Sequence, residues 1–358
     1  FVAPRLPAPL HLAWALLRAK GLQRADKLSL MRFSTAMRWM GWQLYHDCTV
    51  SELLQRFDQT DTLCRLMWHP LCLAALNTPP GRASARVFIN VLRDSLGASR
   101  RSASDMLVPK ADLSALLPDA AARYVARHGG EVRTGAKVGA VRALPDGRWQ
   151  VDDADTHDGI IVATSSVQAA SLLQGVQDAR LADAIDRMQA FTPEAISTCY
   201  LQYDAAVRLD LPFHALVDAP EQQHWGQFVF DRGQLDARQA GLLAVVISAS
   251  GTAAEQGHGP LAHAIAAQLA QVLRRPELAQ PAWTQLITEK RATFACTPDL
   301  LRPGNASGVP GLLLAGDYTA GEDRAQDYPA TIEAAVRSGV AAARAMRAGA
   351  GRTGATVR

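Results

Sequence analysis

The sequence contains no apolar run near the ~18 residues that a membrane-spanning helix needs. Its best runs, 241–247 and 309–315, are strand-length, so any membrane contact is expected to be peripheral. Blocks of like charge are also missing and the formal net charge is only +3. A chain of this kind has no electrostatic footprint for a phosphate backbone, which excludes nucleic acid as the expected partner. Cysteine is scarce: Cys48, Cys64, Cys72, Cys199 and Cys296 are odd in number and form no CxxC pair. That excludes a disulfide framework and points to a reducing cytosol. With 48% hydrophobic and 20% charged residues, 26 Gly and 19 Pro, neither disorder nor a collagen-like bias is present. What remains is a globular chain of 358 residues, enough for about two domains. Residue 1 is Phe, not Met, and no signal peptide follows. The expectation is a chain whose N-terminal portion lies elsewhere.

Residues 9–57 read as mostly helical, with Leu10, Trp14 and Leu17 at helical spacing, Arg18, Lys20, Arg24 and Lys27 as a basic flank, and a break at Gly21. A second helical stretch, 60–76, stops at Asn77-Thr78-Pro79-Pro80-Gly81, because proline cannot continue a helix. The next helix, 83–96, turns Val87, Phe88, Val91 and Leu92 inward and ends at Gly97. The pattern then alternates. A helix over 111–128 with a break at Pro118 precedes strands at 131–134, 138–144, 149–151 and 159–163. The last carries the buried run Ile160-Ile161-Val162-Ala163 of a parallel sheet, and a helix over 167–173 follows. Residues 196–203, 225–230, 242–250 and 285–294 alternate more cleanly, as in a separate, largely antiparallel sheet covered by a helix at 261–273. A buried strand at 311–315, a loop and a helix over 331–346 complete the chain. The predicted class is α/β, with a discontinuous Rossmann-like unit from 106–173 and 299–349. A lobe of helices (1–105) and sheet (174–298) joins it, and 350–358 form a tail.

The most informative segment is Leu312-Leu313-Leu314-Ala315-Gly316-Asp317, followed by Asp327-Tyr328-Pro329-Ala330-Thr331-Ile332 and a helix. A buried strand ending in Gly-Asp lets a ligand approach the backbone, while the carboxylate accepts a hydrogen bond from a ribityl or ribose hydroxyl. Pro329 is expected in the first helical turn, where the free N–H groups that follow suit an anionic ligand atom. Ala330, Ala334, Ala335, Gly339 and Ala342 are expected to let the helix lie close to the sheet.

This segment resembles the C-terminal flavin-binding signature of the amine oxidase and phytoene desaturase group of FAD enzymes. More narrowly, the chain resembles the hydroxysqualene dehydroxylases of bacterial hopanoid biosynthesis. The blocks that carry this likeness are Trp68-His69-Pro70-Leu71-Cys72 through Leu76-Asn77-Thr78-Pro79, Val91-Leu92-Arg93-Asp94-Ser95-Leu96, Leu107-Val108-Pro109-Lys110, and Glu289-Lys290-Arg291-Ala292-Thr293-Phe294 with Thr297-Pro298 and Arg302-Pro303. The resemblance implies a Rossmann-like FAD-binding domain and loss of an allylic hydroxyl from hydroxysqualene. A hydride from reduced FAD replaces the hydroxyl and leaves squalene. It implies cofactor contacts at Val138, Ala163, Thr164, Gly316, Asp317, Pro329, Ala330, Thr331 and Ile332. Members carry an N-terminal βαβ unit with G-x-G-x-x-G; this chain offers no such unit, and roughly 80–100 residues would supply it. Other activities on the same fold are carotenoid-type desaturation and amine oxidation, the latter with Tyr318 and Tyr328 as cage members. A non-catalytic lipid- or partner-binding chain is a further alternative.

Hydroxide leaves poorly, so an acid is needed. By position the candidates are Asp327, Tyr328 and Lys110. Asp327 as a helix cap, Tyr328 as a wall of the flavin ring and Lys110 as a solvated or paired lysine are the structural alternatives. No metal is expected: Cys64, His69 and Cys72 lack a fourth zinc ligand, and Asp317, Glu322, Asp323 and Asp327 lack the spacing of a calcium loop. Ser165-Ser166 reads as a strand-to-helix turn and N-cap. Arg86, Arg93 and Arg100, at seven-residue spacing, read as solvated surface arginines, with a basic stripe that adds to a membrane contact as the alternative. A polyprenyl substrate is nearly insoluble in water, so the protein is expected in the cytoplasm, peripheral on the inner membrane surface, with the basic, apolar stretch 10–27 as its contact.

Overall fold

The computed structural model describes residues 6–7, 10–97, 100–153, 155–321 and 327–353. Its N-terminal part is helical: α1 (Leu10–Leu17), α2 (Arg24–Trp39), α3 (Val50–Arg56), α4 (Asp61–Leu63), α5 (His69–Leu76) and α6 (Ala85–Ser95). The chain turns between α1 and α2 at Gly21, whose φ of +84° is natural for a residue without Cβ. Thr49 and Glu52 form a capping box that starts α3. One turn of π-helix, Cys64–Trp68, joins α4 to α5. It carries Trp68 into the core between Phe33 (ring centroids 4.9 Å apart) and Phe88 (6.1 Å). The helix predicted over 60–76 is thus present but not uniform. It stops where the proline pair requires, with Asn77 left-handed at φ 47°.

Two further helices, α7 (Leu113–Leu116) and α8 (Pro118–Arg127), meet at the break expected at Pro118, and neither buries a residue. Next come β1 (Val141–Ala143), β2 (Trp149–Val151) and β3 (Asp155–His157), an antiparallel meander, then β4 (Ile160–Val162) and α9 (Ser166–Val176). The strand predicted at 131–134 is not formed and that at 138–144 shrinks to β1. Backbone groups there find other partners: Asp152 Oδ1 accepts from the N–H groups of Gly139 (2.8 Å) and Ala140 (2.9 Å). A carboxylate replaces the ladder.

After α10 (Ala182–Gln189) the chain enters a five-stranded antiparallel sheet of β5 (Pro193–Gln202), β6 (Phe213–Ala215), β7 (Phe228–Asp231), β8 (Leu242–Ser248) and β9 (Trp283–Phe294), ordered β6-β7-β8-β5-β9. The short helices α11 (Arg232–Leu235) and α12 (Gly251–Ala254) and the longer α13 (His258–Val272) lie within this stretch. The predicted cover helix is α13. Its Leu261, Ile265 and Leu269 share a closed core with Val229, Val245 and Ile247. Gln268 bonds both backbone groups of Gly226, at 2.7 and 2.9 Å. Edge strand β9 carries Glu289, Lys290 and Arg291, charges that discourage edge-to-edge pairing. Last come β10 (Leu312–Leu314), parallel to β4, and α14 (Ile332–Thr353). A second core joins α2–α6 to Val141, Trp149, Val162, Leu312 and Leu314.

The blocks around 77 and 293 meet where the helices join the sheet. Asn77 Nδ2 donates to Thr293 Oγ1 (2.9 Å), and Asn77 Oδ1 accepts from Ala249 N (2.7 Å). Thr78 Oγ1 accepts from Cys296 N (2.9 Å). Asn77 is 5% exposed, so Asn77→Ala leaves a buried N–H unpaired and puts a Cβ-bearing residue with no local polar partner in the left-handed region. We expect a loss of about 2–4 kcal/mol, read by urea unfolding.

Candidate functional site

Parallel strands β4 and β10 end side by side. Leu314 lies opposite Val162, and Ala315 N donates to Val162 O at 3.0 Å. Ala163-Thr164 and Gly316-Asp317 therefore leave the sheet together at its carboxyl edge, where open α/β sheets hold ligands. Ser165 follows as the N-cap residue of α9, as expected, although its side chain makes no capping bond.

Gly316 has a different reason from the one the sequence suggested. A Cβ there would run into the Tyr318 ring, so the close approach is made by the chain's own aromatic side chain. Tyr318 is 1% exposed and packs toward Phe191 at 6.5 Å. It is no open wall for an amine. Its buried hydroxyl and the buried Nε of Arg302 have no hydrogen-bond partner.

Asp317 is half-buried. Burial pushes its carboxyl above the ordinary carboxylate range, while the charge of Arg302 and the N–H groups of Asp317 and Tyr318 draw it partly back. A desolvated acceptor of this kind gains from a donor supplied by a ligand hydroxyl.

The turn 329–332 places Pro329 outside the helix, contrary to expectation. Thr331 takes the cap: its Oγ1 accepts from Ala334 N at 3.2 Å, and α14 starts at Ile332. Ala330 packs against the core while Ile332 is 61% exposed. Among the small residues of α14, Ala342 is fully buried, but a Cβ on Gly339 would meet open space. The close packing expected there is absent because Ser338 makes the helix contact. Its Oγ accepts from Gly316 N (3.0 Å), Asn305 Nδ2 (2.9 Å) and Thr319 Oγ1 (2.7 Å). A groove of about 330 Å³, lined in part by Thr319, Tyr328 and Arg337, runs beside it.

Asp327 and Tyr328 are held from both sides. Asn90 Nδ2 donates to Asp327 O (3.1 Å) and Arg302 Nη1 to Tyr328 O (2.6 Å). Asp327 does not cap α14. Its Oδ1 accepts from Gly321 N at 3.2 Å. Tyr328 Oη donates to Asp94 Oδ2 at 2.7 Å, Arg93 Nε donates to Asp94 Oδ1 at 2.8 Å, and the Arg337 guanidinium lies 4.8 Å from the Tyr328 ring centroid. Burial, then the hydrogen bond to Asp94 and its charge, raise the phenol above its usual value. Burial also acts to raise Asp94, but bonds from Arg93 and Tyr328 and the charges of Arg93 and Arg337 overcome it and hold the carboxyl low. The Tyr328 proton is thus committed to Asp94.

The signs define a test. Asp94, depressed when folded, contributes stability above its unfolded value, lost as pH falls through the folded one. Tyr328, raised when folded, contributes below about pH 10, lost as pH rises through its folded value. Asp94→Asn should move the phenol titration, followed by phenolate absorbance against a Tyr328→Phe control, down toward 10. It should destabilise the protein at pH 7 but not at strongly acid pH.

Lys110 is exposed in the segment before α7 and is not among the charges acting on Tyr328. Val138, 40% exposed, lies just before β1. Among the described residues no cluster of His, Cys, Asp and Glu fits a metal ion; Glu322 and Asp323 lie outside them. Burial raises Cys72 to about 12 and Cys296 to about 11, which makes them inert core thiols. Arg86 pairs with Asp47 and Asp299, and Arg93 with Asp94, so those arginines are tied in ion pairs and not merely solvated.

The model of the family described as flavin containing amine oxidoreductase matches residues 2–347. The chain belongs to that family. It is 30% identical to hydroxysqualene dehydroxylase from Sinorhizobium fredii over 294 residues, 79% of this chain and 62% of that protein. With the protein of the same name from Rhodopseudomonas palustris it shares 30% over 300 residues, 76% and 60% of the two chains. The chain thus spans about three fifths of the curated relatives it matches. Among solved structures, cyclohexylamine oxidase from Brevibacterium oxydans superposes with a TM-score of 0.57 at 15% identity, over 96% of this chain and 77% of that one. Putrescine oxidase bound to putrescine gives 0.58 at 14%, over 94% and 77%. These likenesses fit the mixed α/β architecture predicted, and FAD is the flavin the family indicates.

The residues present fit the ring and sugar-alcohol end of that cofactor: a desolvated strand-end carboxylate, a capped helix start and a groove beside them. The letters G-x-G-x-x-G do occur, at Gly349-Ala350-Gly351-Arg352-Thr353-Gly354. They are not a pyrophosphate cradle, because 349–353 close α14 instead of following a strand.

Proposed function

We propose that this chain serves the FAD-dependent reductive removal of the hydroxyl of hydroxysqualene to give squalene, a step of hopanoid or related isoprenoid synthesis. The observation that carries the reading is convergence at one edge. The flavin-signature segment 327–332 meets the dehydroxylase-like blocks through Asp94–Tyr328 and Arg302–Tyr328, and two of those blocks meet each other through Asn77–Thr293. The same reading assigns 106–173 and 299–349 to cofactor binding, and 1–105 with 174–298 to the substrate. It places the protein in the cytoplasm against the inner membrane surface.

Bound reduced FAD supplies hydride chemistry, the hydride taking the place of the departing hydroxyl. The carbon–oxygen bond breaks and the oxygen leaves as water, which requires one proton. Asp327 is assigned as its donor, since the Tyr328 proton is already given to Asp94. Tyr328 then walls the site, Asp94 and Arg337 hold its ring, and Asp317 with the Thr331 turn contacts the cofactor. Asp327→Asn should lower squalene formation by about a hundredfold or more and leave FAD affinity within about threefold.

The test is an FAD titration followed by absorbance, then anaerobic incubation of the reduced complex with hydroxysqualene and analysis for squalene. Consumption of squalene by the oxidised form would assign a desaturase. Turnover of amines would assign an oxidase, and absence of any flavin spectrum together with squalene binding would assign a lipid carrier.

A further inference from the structure

Helix α2 has two apolar sides, and the fold uses only one. Leu30, Phe33 and Met37 are buried in the core. On another side Leu28 (49% exposed), Met31 (43%) and Trp39 (91%) recur at helical spacing and line an open hollow of about 500 Å³. Helix α1 exposes Leu10, Trp14 and Leu17 as well. The two helices are tied together, since Lys27 Nζ donates to Leu17 O at 2.7 Å.

The charge of this region is one-signed. Residues 1–46 hold seven of the chain's 37 basic residues and one of its 34 acidic residues, a formal charge of about +6, which leaves about −3 for the rest. The single acid, Asp26, is 4% exposed and turned inward, where it accepts from Thr60 Oγ1 at 2.6 Å and Gln23 N at 2.7 Å. Arg18, Lys20, Arg24, Arg32 and Arg38 are exposed. The Arg18 guanidinium lies 5.0 Å from the Trp14 ring centroid, an apolar body beside a cationic head.

We propose that the exposed faces of α1 and α2 form the docking surface of this chain for an anionic lipid bilayer. Apolar side chains enter the acyl boundary and the arginines meet headgroup phosphates. No helix among the described residues is long and apolar enough to cross a membrane, so the helices lie in the surface plane. The contact extends past the 10–27 stretch to Trp39, and its centre is the second face of α2, not α1 alone. It gives the hydrocarbon-substrate reading above its route to lipid and rests on that reading only for its purpose.

The experiment is vesicle flotation of the whole chain without flavin or substrate. Vesicles of phosphatidylcholine with one third phosphatidylglycerol are compared with phosphatidylcholine alone, at low and high salt. The expected result is partitioning onto the anionic vesicles that falls at high salt. At about fivefold per basic residue near the surface, Arg18→Gln, Arg32→Gln and Arg38→Gln combined should weaken it roughly a hundredfold. Quenching of tryptophan emission by brominated lipid should drop in Trp39→Phe. These positions are exposed, and an unchanged circular dichroism spectrum checks folding. Equal binding to both vesicle types, or none to either, overturns the proposal. So does concentration-dependent self-association that Trp39→Ser abolishes while vesicles stay unbound, since the face then belongs to a second copy. Vesicle binding without squalene formation leaves the surface standing and removes the reaction assigned above.

Discussion

Replacing Asp317 by Ala should weaken FAD binding by roughly tenfold to a hundredfold, because a hydrogen bond to an ionised acceptor is worth ~1.5–3 kcal/mol. The same carboxylate works against the cofactor-free fold. Its folded pKa is raised, chiefly by burial. The folded state then binds the proton more tightly than the unfolded one, so this contribution is present below the unfolded value, about 3.9, and lost as pH rises through the folded value. Once ionised, the group is a cost to the cofactor-free fold. Asp317→Asn should therefore unfold at higher urea than the parent at pH 7 without flavin, with the advantage disappearing in strong acid. A variant that is more stable alone yet binds FAD less well marks a site residue held against its own preference. If Asp317→Ala binds FAD as tightly as the parent, the carboxylate is only a strand-end cap.

Arg302→Met should be the most destabilising single change, by about 3–5 kcal/mol. Arg302 is 5% exposed, donates to Tyr328 O at 2.6 Å and Cys296 Sγ at 3.5 Å, and stacks 4.6 Å from the Phe294 centroid. Its removal leaves a buried carbonyl unpaired and takes away the cation that draws Asp317 down. Arg302→Lys keeps the charge but loses the planar fork, so it should recover part of the loss and not all. Urea unfolding measures both variants. An unfolding midpoint unchanged by Arg302→Met would show that the hydrogen bond and the stacking contribute nothing net.

The antiparallel strands, their cover helix and the Gly-Asp strand end were legible because each is written locally: alternation over several residues, a 3.6-residue stripe, a buried run ending in Gly. Residues 131–134 alternate as well, yet form no strand, because a strand also needs a neighbour and alternation cannot say whether one is near. The Asp94–Tyr328 bond spans 234 positions. A carboxylate and a phenol that far apart carry no shared local signal. Ser338 left a faint trace, one hydroxyl on a helix side otherwise lined by alanine. The misplaced Pro329 shows a limit of another kind, since Thr331 two residues later can cap the same helix. That competition is settled only by which side chain reaches an N–H.

Strand β4 has a single neighbour among the described residues. Ile160 N is bonded to Gly311 O at 2.7 Å, and in a parallel ladder the next residue turns its own amide the opposite way. Ile161 should therefore exchange its amide hydrogen with solvent much faster than Ile160, inside one three-residue strand. Any strand that added itself to the open side would slow Ile161 alone, so deuterium uptake at one amide reports whether that edge is occupied, with no cofactor, lipid or substrate in the tube.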